Sequence, residues 1–364
     1  MFNLTAISEN LFWLTLITGF VISGCSHTSE LYRADHTDMR NPEYTIIYYI
    51  HADSDYLYHD SSGKPVQGNS VVLTDAFSVA EKAVSGEVFI FYQKPERRIA
   101  GLFPRRSSRL YHYTGGELTG RVKYRHSDGT EDFLTSEVRL YNQYRNALHQ
   151  GIKQNHFLYF GHEIPESGGE KYHRTLPKIK VNTGSFATGV HNFLANDDQR
   201  FDLIVLSTCN NGSPVMASHL IPISNVLLAS PQNLHLSHID SESLSLMESN
   251  PGITAIELAQ TVAEQTFKRL ESDVQTAITL AVYNFDVVKE YKSKLQSFAV
   301  SYQKSGRLNQ YSDNMDCRQA SFFDDAIFSK GLITWYKSAR FGRTSFSSNH
   351  SGWGCKPLMD NDQE

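Results

Sequence analysis

The sequence is poor in cysteine: four residues in 364, too few for a fold held by disulfides in place of a core. It also lacks a basic excess. With 34 Lys+Arg against 39 Asp+Glu the formal net charge is −5, which argues against nucleic acid as a partner, since such binding rests on neutralising phosphates. No internal repeat and no heptad runs through the chain, and no apolar run matches a membrane span of about 20 residues. Core material is ample, because hydrophobic residues make up 40% and aromatics 12%, more than a disordered chain carries. The length allows about two domains, or one large α/β domain that fills most of it.

The longest uncharged stretch lies near the start. Leu11 to Gly24 (LFWLTLITGFVISG) has the length and composition of the apolar region of a secretory signal. It runs into Ile22-Ser23-Gly24-Cys25, which resembles the bacterial lipobox. That resemblance implies cleavage before Cys25, diacylation of its sulfur, and attachment to the membrane of the bacterial cell envelope. Ser26, where an Asp would favour retention at the inner membrane, implies the outer membrane. The alternative is a buried apolar helix that ends near a cysteine. Residues Met1 to Asn10 contain no Lys or Arg and carry Glu9, unlike the usual positive start of a signal peptide. On this reading residues 1–24 are a lipoprotein signal peptide and 25–42 a polar tether.

Beyond the tether, short β-branched and aromatic runs alternate with helical periodicity. Tyr44 to Ile50 (YTIIYYI), Val88 to Tyr92, Phe157 to Phe160, Leu203 to Leu206 and Val226 to Ala229 have the continuous apolar character of strands covered on both faces. Ser78 to Val84, Ser136 to Gln154 and Val181 to Leu194 repeat apolar residues at spacings of three and four. Strands alternating with crossover helices predict an α/β fold with a mostly parallel sheet. Residues 97–134 interrupt the alternation with two turn signals, Gly115-Gly116 and Asp128-Gly129, each expected to close a β-hairpin in a small insertion. That insertion is either a substrate-side element or a surface decoration. Thr254 and Glu257 form a capping box that opens a helix over Ile256 to Leu270. A last strand is expected at Ala277 to Val282 and a helix at Phe285 to Tyr302, with residues 303–364 a weakly patterned C-terminal extension.

Two strands end in reactive residues. Phe157 to Phe160 runs into Gly161-His162-Glu163, and Leu203 to Leu206 into Ser207-Thr208-Cys209-Asn210-Asn211-Gly212. Ligands of open α/β sheets bind outside the carboxyl ends of the strands, so both side chains are expected over one edge. A thiolate is a nucleophile, and a nearby imidazole can take the thiol proton and later protonate a leaving amine. The small polar residues after Cys209 suit a turn that exposes the sulfur and presents the Cys209 N–H to an oxyanion.

The order His then Cys, at an interval of about 50 residues, is similar to that of caspase-like cysteine peptidases. Tyr44 to Tyr56 (YTIIYYIHADSDY), Leu158 to His162, Phe201 to Gly212 (FDLIVLSTCNNG) and Ala277 to Val288 resemble the clostripain-like branch. The resemblance covers about residues 44–300. It implies a caspase-like three-layer α/β/α sandwich over residues 43–302, with Cys209 as nucleophile, His162 as general base and acid, and an oxyanion site at the backbone N–H groups of Glu163 and Cys209. Peptide or protein substrates follow. The sequence departs from the family at three places. Glu163 stands where Gly usually follows the histidine, Ser207 replaces an acid that contributes to recognising basic side chains, and Ser230-Pro231-Gln232 lacks the acid expected in the next loop. Ser207 and Ser230 thereby mark the expected substrate pocket without implying a preference for Arg or Lys. A non-cleaving homologue acting as a binding module stays open as the alternative.

Cys317 and Cys355 remain, and in an exported protein such a pair is expected to form a disulfide. No cofactor is called for. His51, Asp53 and Asp55 include alternating carboxylates of the kind that can hold a hard cation such as calcium, but the simpler expectation is that these residues cap a helix or face solvent. No motif settles it for a metal. Lys94 to Arg98 with Arg105 and Arg106 reads as a solvated basic loop.

Overall fold

The protein is described by a computed structural model. It describes residues 42–53, 57–59, 64–99, 103–105, 107–126, 131–145, 154–196, 198–234, 238–304, 314–320, 323–341 and 348–355. The signal-like segment, Cys25, Asp55 and the Asp128-Gly129 turn lie outside them. Among the described residues no helix is long and apolar enough to cross a membrane.

A nine-stranded sheet forms the centre. Its strands, in chain order, are β1 (Tyr44–His51), β2 (Gly86–Gln93), β3 (Ser108–Thr114), β4 (Glu117–Tyr124), β5 (Gln154–Phe160), β6 (Phe201–Ser207), β7 (Ser224–Ala229), β8 (Ile278–Asn284) and β9 (Leu332–Lys337). Their order in space is β9-β8-β7-β6-β5-β1-β2-β3-β4. From β2 through β1, β5 and β6 to β7 every pairing is parallel; antiparallel strands flank this block on both sides.

Side chains of β1 explain why its sequence is an unbroken apolar run. Ile47 and Tyr49 enter one core, while Ile46, Tyr48 and Ile50 enter the other, so alternate residues meet helices on opposite faces. Helix α1 (Gly68–Lys82) and helix α5 (Ala255–Asp273) cover one face through Val72, Ala76, Leu258 and Val262. Helices α2 (Thr135–Tyr144), α3 (Thr183–His191), α4 (Pro214–Leu220) and α6 (Lys292–Lys304) lie on the other, where Tyr141, Phe186, Met216 and Leu295 join the core. The result is a three-layer α/β/α sandwich. The capping box at Thr254 and Glu257 starts α5: the Glu257 N–H donates to Thr254 Oγ1 at 3.3 Å and the Thr254 N–H to Glu257 Oε2 at 3.0 Å.

The insertion differs from its expected form. Gly115 and Gly116, with φ of 63° and 79°, make the two-residue turn of a β3–β4 hairpin that requires positive φ at both positions. That hairpin extends the central sheet through β2–β3 pairing. No second hairpin forms on the described flanks of Asp128-Gly129. Asp132 and Phe133 instead lead into α2, and Phe133 is buried in the core.

The described residues after Gln303 are likewise built into the fold. β9 pairs with β8, making β9 the edge and β8 an interior strand. Trp353 is 0% exposed and donates from Nε1 to the Phe328 carbonyl at 2.7 Å. Cys317 and Cys355 are joined by a disulfide across 38 residues, beside a two-stranded pairing of Met315–Asp316 with Gly354–Cys355. Closing a loop of that length removes unfolded-state entropy worth about 4 kcal/mol. Replacing both cysteines with Ser is therefore expected to lower the unfolding free energy by roughly that amount, read from the guanidinium midpoint at unchanged slope.

Candidate active site

The chain passes from β1 to β2 on one side and returns to β5 on the other, so the sheet's direction of winding switches between β1 and β5. Crevices at such a point, outside the carboxyl ends, are where α/β sheets bind ligands. His162 follows β5 and Cys209 follows the neighbouring β6. Phe160 pairs with Ser207, and the Gly161 N–H donates to the Ser207 carbonyl at 3.3 Å. Each reactive residue stands two positions beyond that pair, so both leave adjacent parallel strands at one level, on one edge.

Asn211 ties the two strand ends together. Its Oδ1 accepts from the Ile164 N–H at 2.9 Å and from Thr208 Oγ1 at 2.7 Å, and its Nδ2 donates to the Ile164 carbonyl at 2.9 Å. Because Asn211 and Ile164 are 1% and 0% exposed, these bonds form away from water. Asn210, between this clamp and the cysteine, has a φ of 59°, a left-handed conformation that Asn tolerates better than most residues. Its Nδ2 donates to Glu163 Oε2 at 2.6 Å. Its own N–H donates to the Gln232 carbonyl at 3.0 Å, and its carbonyl accepts from Asn314 Nδ2 at 3.0 Å. The turn after the cysteine is thus fixed from both sides.

The Cys209 thiol is half-buried. It donates to Asn233 Oδ1 at 3.1 Å, and the sulfur accepts from the Leu234 N–H at 3.4 Å. His162 is solvent-exposed, yet desolvation by the surrounding protein pushes its imidazole pKa below the ordinary value. The Tyr172 hydroxyl donates to the His162 carbonyl at 2.8 Å and shares a 2.7 Å hydrogen bond with the Tyr159 hydroxyl. A thiol and an imidazole that favours its neutral form are groups able to exchange a proton and attack a carbonyl.

The hydroxyls of Ser207 and Ser230, the residues expected to mark the substrate pocket, are engaged by loop backbone. The Ser207 hydroxyl accepts from the Ile239 N–H at 2.8 Å. Ser230 is fully buried, and its hydroxyl oxygen lies 2.6 Å from the Gln232 carbonyl and 2.8 Å from the Thr279 carbonyl, one of which accepts its single proton. Both hydroxyls hold loop backbone in place. Glu163 has its carboxylate drawn to Asn210, a contact that sequence order alone does not reveal. Tyr172, Asn233 and Asn314 also went unread, since each sits in a loop without periodicity; only the polar Asn-Asn pair after Cys209 signalled the turn.

No protein-family model matches the chain, and no curated protein matches it. Solved structures do. An inactive zymogen C11 protease from Parabacteroides distasonis superposes with a TM-score of 0.57 at 12% identity, covering 88% of this chain and 94% of that one. A secreted C11 cysteine protease from Bacteroides thetaiotaomicron, iotapain, gives 0.57 at 11% identity over 86% and 93%. A secreted C11 cysteine protease from the same organism, in complex with an irreversible peptide inhibitor, gives 0.54 at 10% over 88% and 90%. The fold is that of these clostripain-like proteases, the caspase-like sandwich, and it extends over nearly the whole chain.

The clamp makes a testable claim about the site. Asn211→Ala leaves the Ile164 N–H and carbonyl buried without their partners, at a cost of about 2–4 kcal/mol. The expected result is a lower urea midpoint together with a changed rate of Cys209 alkylation, measured on folded protein.

Proposed function

We propose that the protein is a cysteine-type endopeptidase in which Cys209 and His162 act as a pair, carried by an N-terminal lipid anchor on Cys25. The observation that supports this most directly is the strand-end register: Phe160 opposite Ser207 delivers an imidazole and a thiol to one edge of the sheet at its winding switch. The likeness to secreted C11 proteases over most of the chain agrees with it.

On this reading His162, whose charged form is disfavoured by desolvation, takes the thiol proton as sulfur attacks the scissile carbonyl. The oxygen gains charge near the backbone N–H groups of Cys209 and Glu163. The imidazolium then protonates the departing amine, leaving an acyl-enzyme. Water, deprotonated by the same imidazole, releases the acid and restores the thiol. Glu163 places a carboxylate beside this chemistry, and its bond to Asn210 holds the charge against the turn.

Export accords with the disulfide of the C-terminal region, since such bonds persist outside reducing compartments. Acylation of Cys25 would hold the enzyme at the bacterial envelope, at the outer membrane by the Ser26 rule. Cys25→Ser is expected to stall processing or move the protein from the membrane fraction to the soluble one; identical partitioning and processing would remove the anchor from this reading.

For the chemistry, Cys209→Ala and His162→Ala should each abolish cleavage of a peptide library, and the double variant should lose no more than either alone, because the pair works as a unit. The sign of the pH dependence follows from the lowered imidazole pKa. The base is lost only as pH falls through that lowered value, so the acid limb of kcat/KM should lie below the ordinary imidazole range. Glu163→Gly should raise cleavage by about tenfold, a change worth roughly 1.4 kcal/mol. If no peptide is cut by either the parent chain or the Glu163→Gly variant, the fold serves as a binding module instead.

A further inference from the structure

We propose that His51, Asp53 and His173 form a buried site for one divalent transition-metal ion of the zinc class, beneath the loop that follows His162. This goes beyond the peptidase reading and stands or falls separately from it. His51 ends β1, Asp53 lies two residues beyond, and His173 comes from the loop after β5. These three residues therefore join the two strands that flank the winding switch.

The three are 0%, 1% and 1% exposed, and one ligand atom from each lies within 4.8 Å of the others. Both ring nitrogens of His51, and Nδ1 of His173, find no hydrogen-bond partner among the described residues. Buried polar atoms are seldom left so, and an ion is one of the things that accounts for them. His173 Nδ1 and Asp53 Oδ2 are 3.9 Å apart, too far for a hydrogen bond but a distance that an ion between them can bridge with small adjustments. Zinc bonds to imidazole nitrogen and carboxylate oxygen are about 2.0–2.2 Å long.

Donor chemistry selects the metal. Two imidazoles and one carboxylate suit zinc and its neighbours, whereas calcium takes oxygen ligands. The proposed site therefore differs from the hard-cation alternative at His51, Asp53 and Asp55 both in its third donor and in its ion.

The surroundings orient the donors as metal sites require. Thr175 donates from its N–H to Asp53 Oδ2 at 2.9 Å and from its hydroxyl to Oδ1 at 2.7 Å, and each oxygen keeps a further lone pair. The His51 ring stacks on Tyr172 at 4.9 Å between centroids, and Tyr172 in turn holds the His162 carbonyl. An ion here would fasten the segment behind His162 to the end of β1. A second group, Asp75, His238 and Asp240, has two half-buried carboxylates and one imidazole, and its charges are already met: Arg269 Nε lies 2.9 Å from both Asp240 oxygens, and His238 Nε2 lies 3.4 Å from Asp75 Oδ2 and from Asp240 Oδ1.

The test uses the full chain with Cys209→Ser, which prevents the thiol from taking up metal, and with the disulfide intact. After treatment with a chelator, Co²⁺ is titrated in and followed by visible absorption, then displaced with Zn²⁺. The expected result is one Co²⁺ per chain with the absorption of a four-coordinate nitrogen and oxygen site, stoichiometric displacement by Zn²⁺, and a Zn²⁺-dependent rise in Tm. His173→Asn and Asp53→Asn should each weaken Co²⁺ binding at least about tenfold, while Asp75→Asn leaves it unchanged. Circular dichroism checks that the variants fold, and the Tm shift of the parent needs no variant at this site. The proposal is overturned if the folded parent takes up no Co²⁺, if His173→Asn binds it equally well, or if Ca²⁺ competes as effectively as Zn²⁺.

Discussion

Parallel pairing between β5 and β6 is the constraint on which the site depends. Two parallel neighbours end at the same edge of a sheet, whereas an antiparallel pair would send His162 and Cys209 to opposite ends of the molecule. Register matters as much as direction, because a slip of one residue turns every side chain to the other face. Here the register is held beyond the strands themselves. Asn211 reaches from the β6 loop to both backbone groups of Ile164 in the β5 loop, extending the pairing past the last ladder bond with one side chain.

Much of this framework was legible in the sequence because the central strands are buried on both faces. Such strands must be apolar without interruption, and the runs at Tyr44, Val88, Phe157, Leu203 and Val226 all lie in parallel strands. Reactive residues just past two of those runs were visible for the same reason. Legibility fell where a local signal competed with burial. Asp128-Gly129 looks like a hairpin turn, but Phe133 beyond it is drawn into the core, and Leu134, at a φ of 69°, turns the chain into α2. Pattern cannot tell which way a hydroxyl points, and those of Ser207 and Ser230 both bind loop backbone. His173 was invisible, since its partners lie more than a hundred positions earlier and its loop has no period.

The weakly patterned C-terminal region shows a further limit. Its order comes from particular fits to distant residues. The Gly354 N–H donates to the Gly212 carbonyl at 2.8 Å, and a Cβ on Gly354 would lie 2.1 Å from the Pro231 carbonyl oxygen. Asn314 holds Asn210 from the same side. With the disulfide fixing both strands of this strap, the turn after Cys209 is framed by Asn211 on one flank and by the strap on the other.

That strap has a consequence in time. Synthesis runs from β1 onward, so β1, β2, β5, β6 and β7 can pair while residues 314–355 do not yet exist. The turn after Cys209 then has the Ile164 contact but neither the Asn314 nor the Gly354 contact. Its final shape waits on residues made more than a hundred positions later, and on an oxidation step that the cytoplasm disfavours. The turn beside Cys209 is thus completed by contacts from residues made well after the central strands.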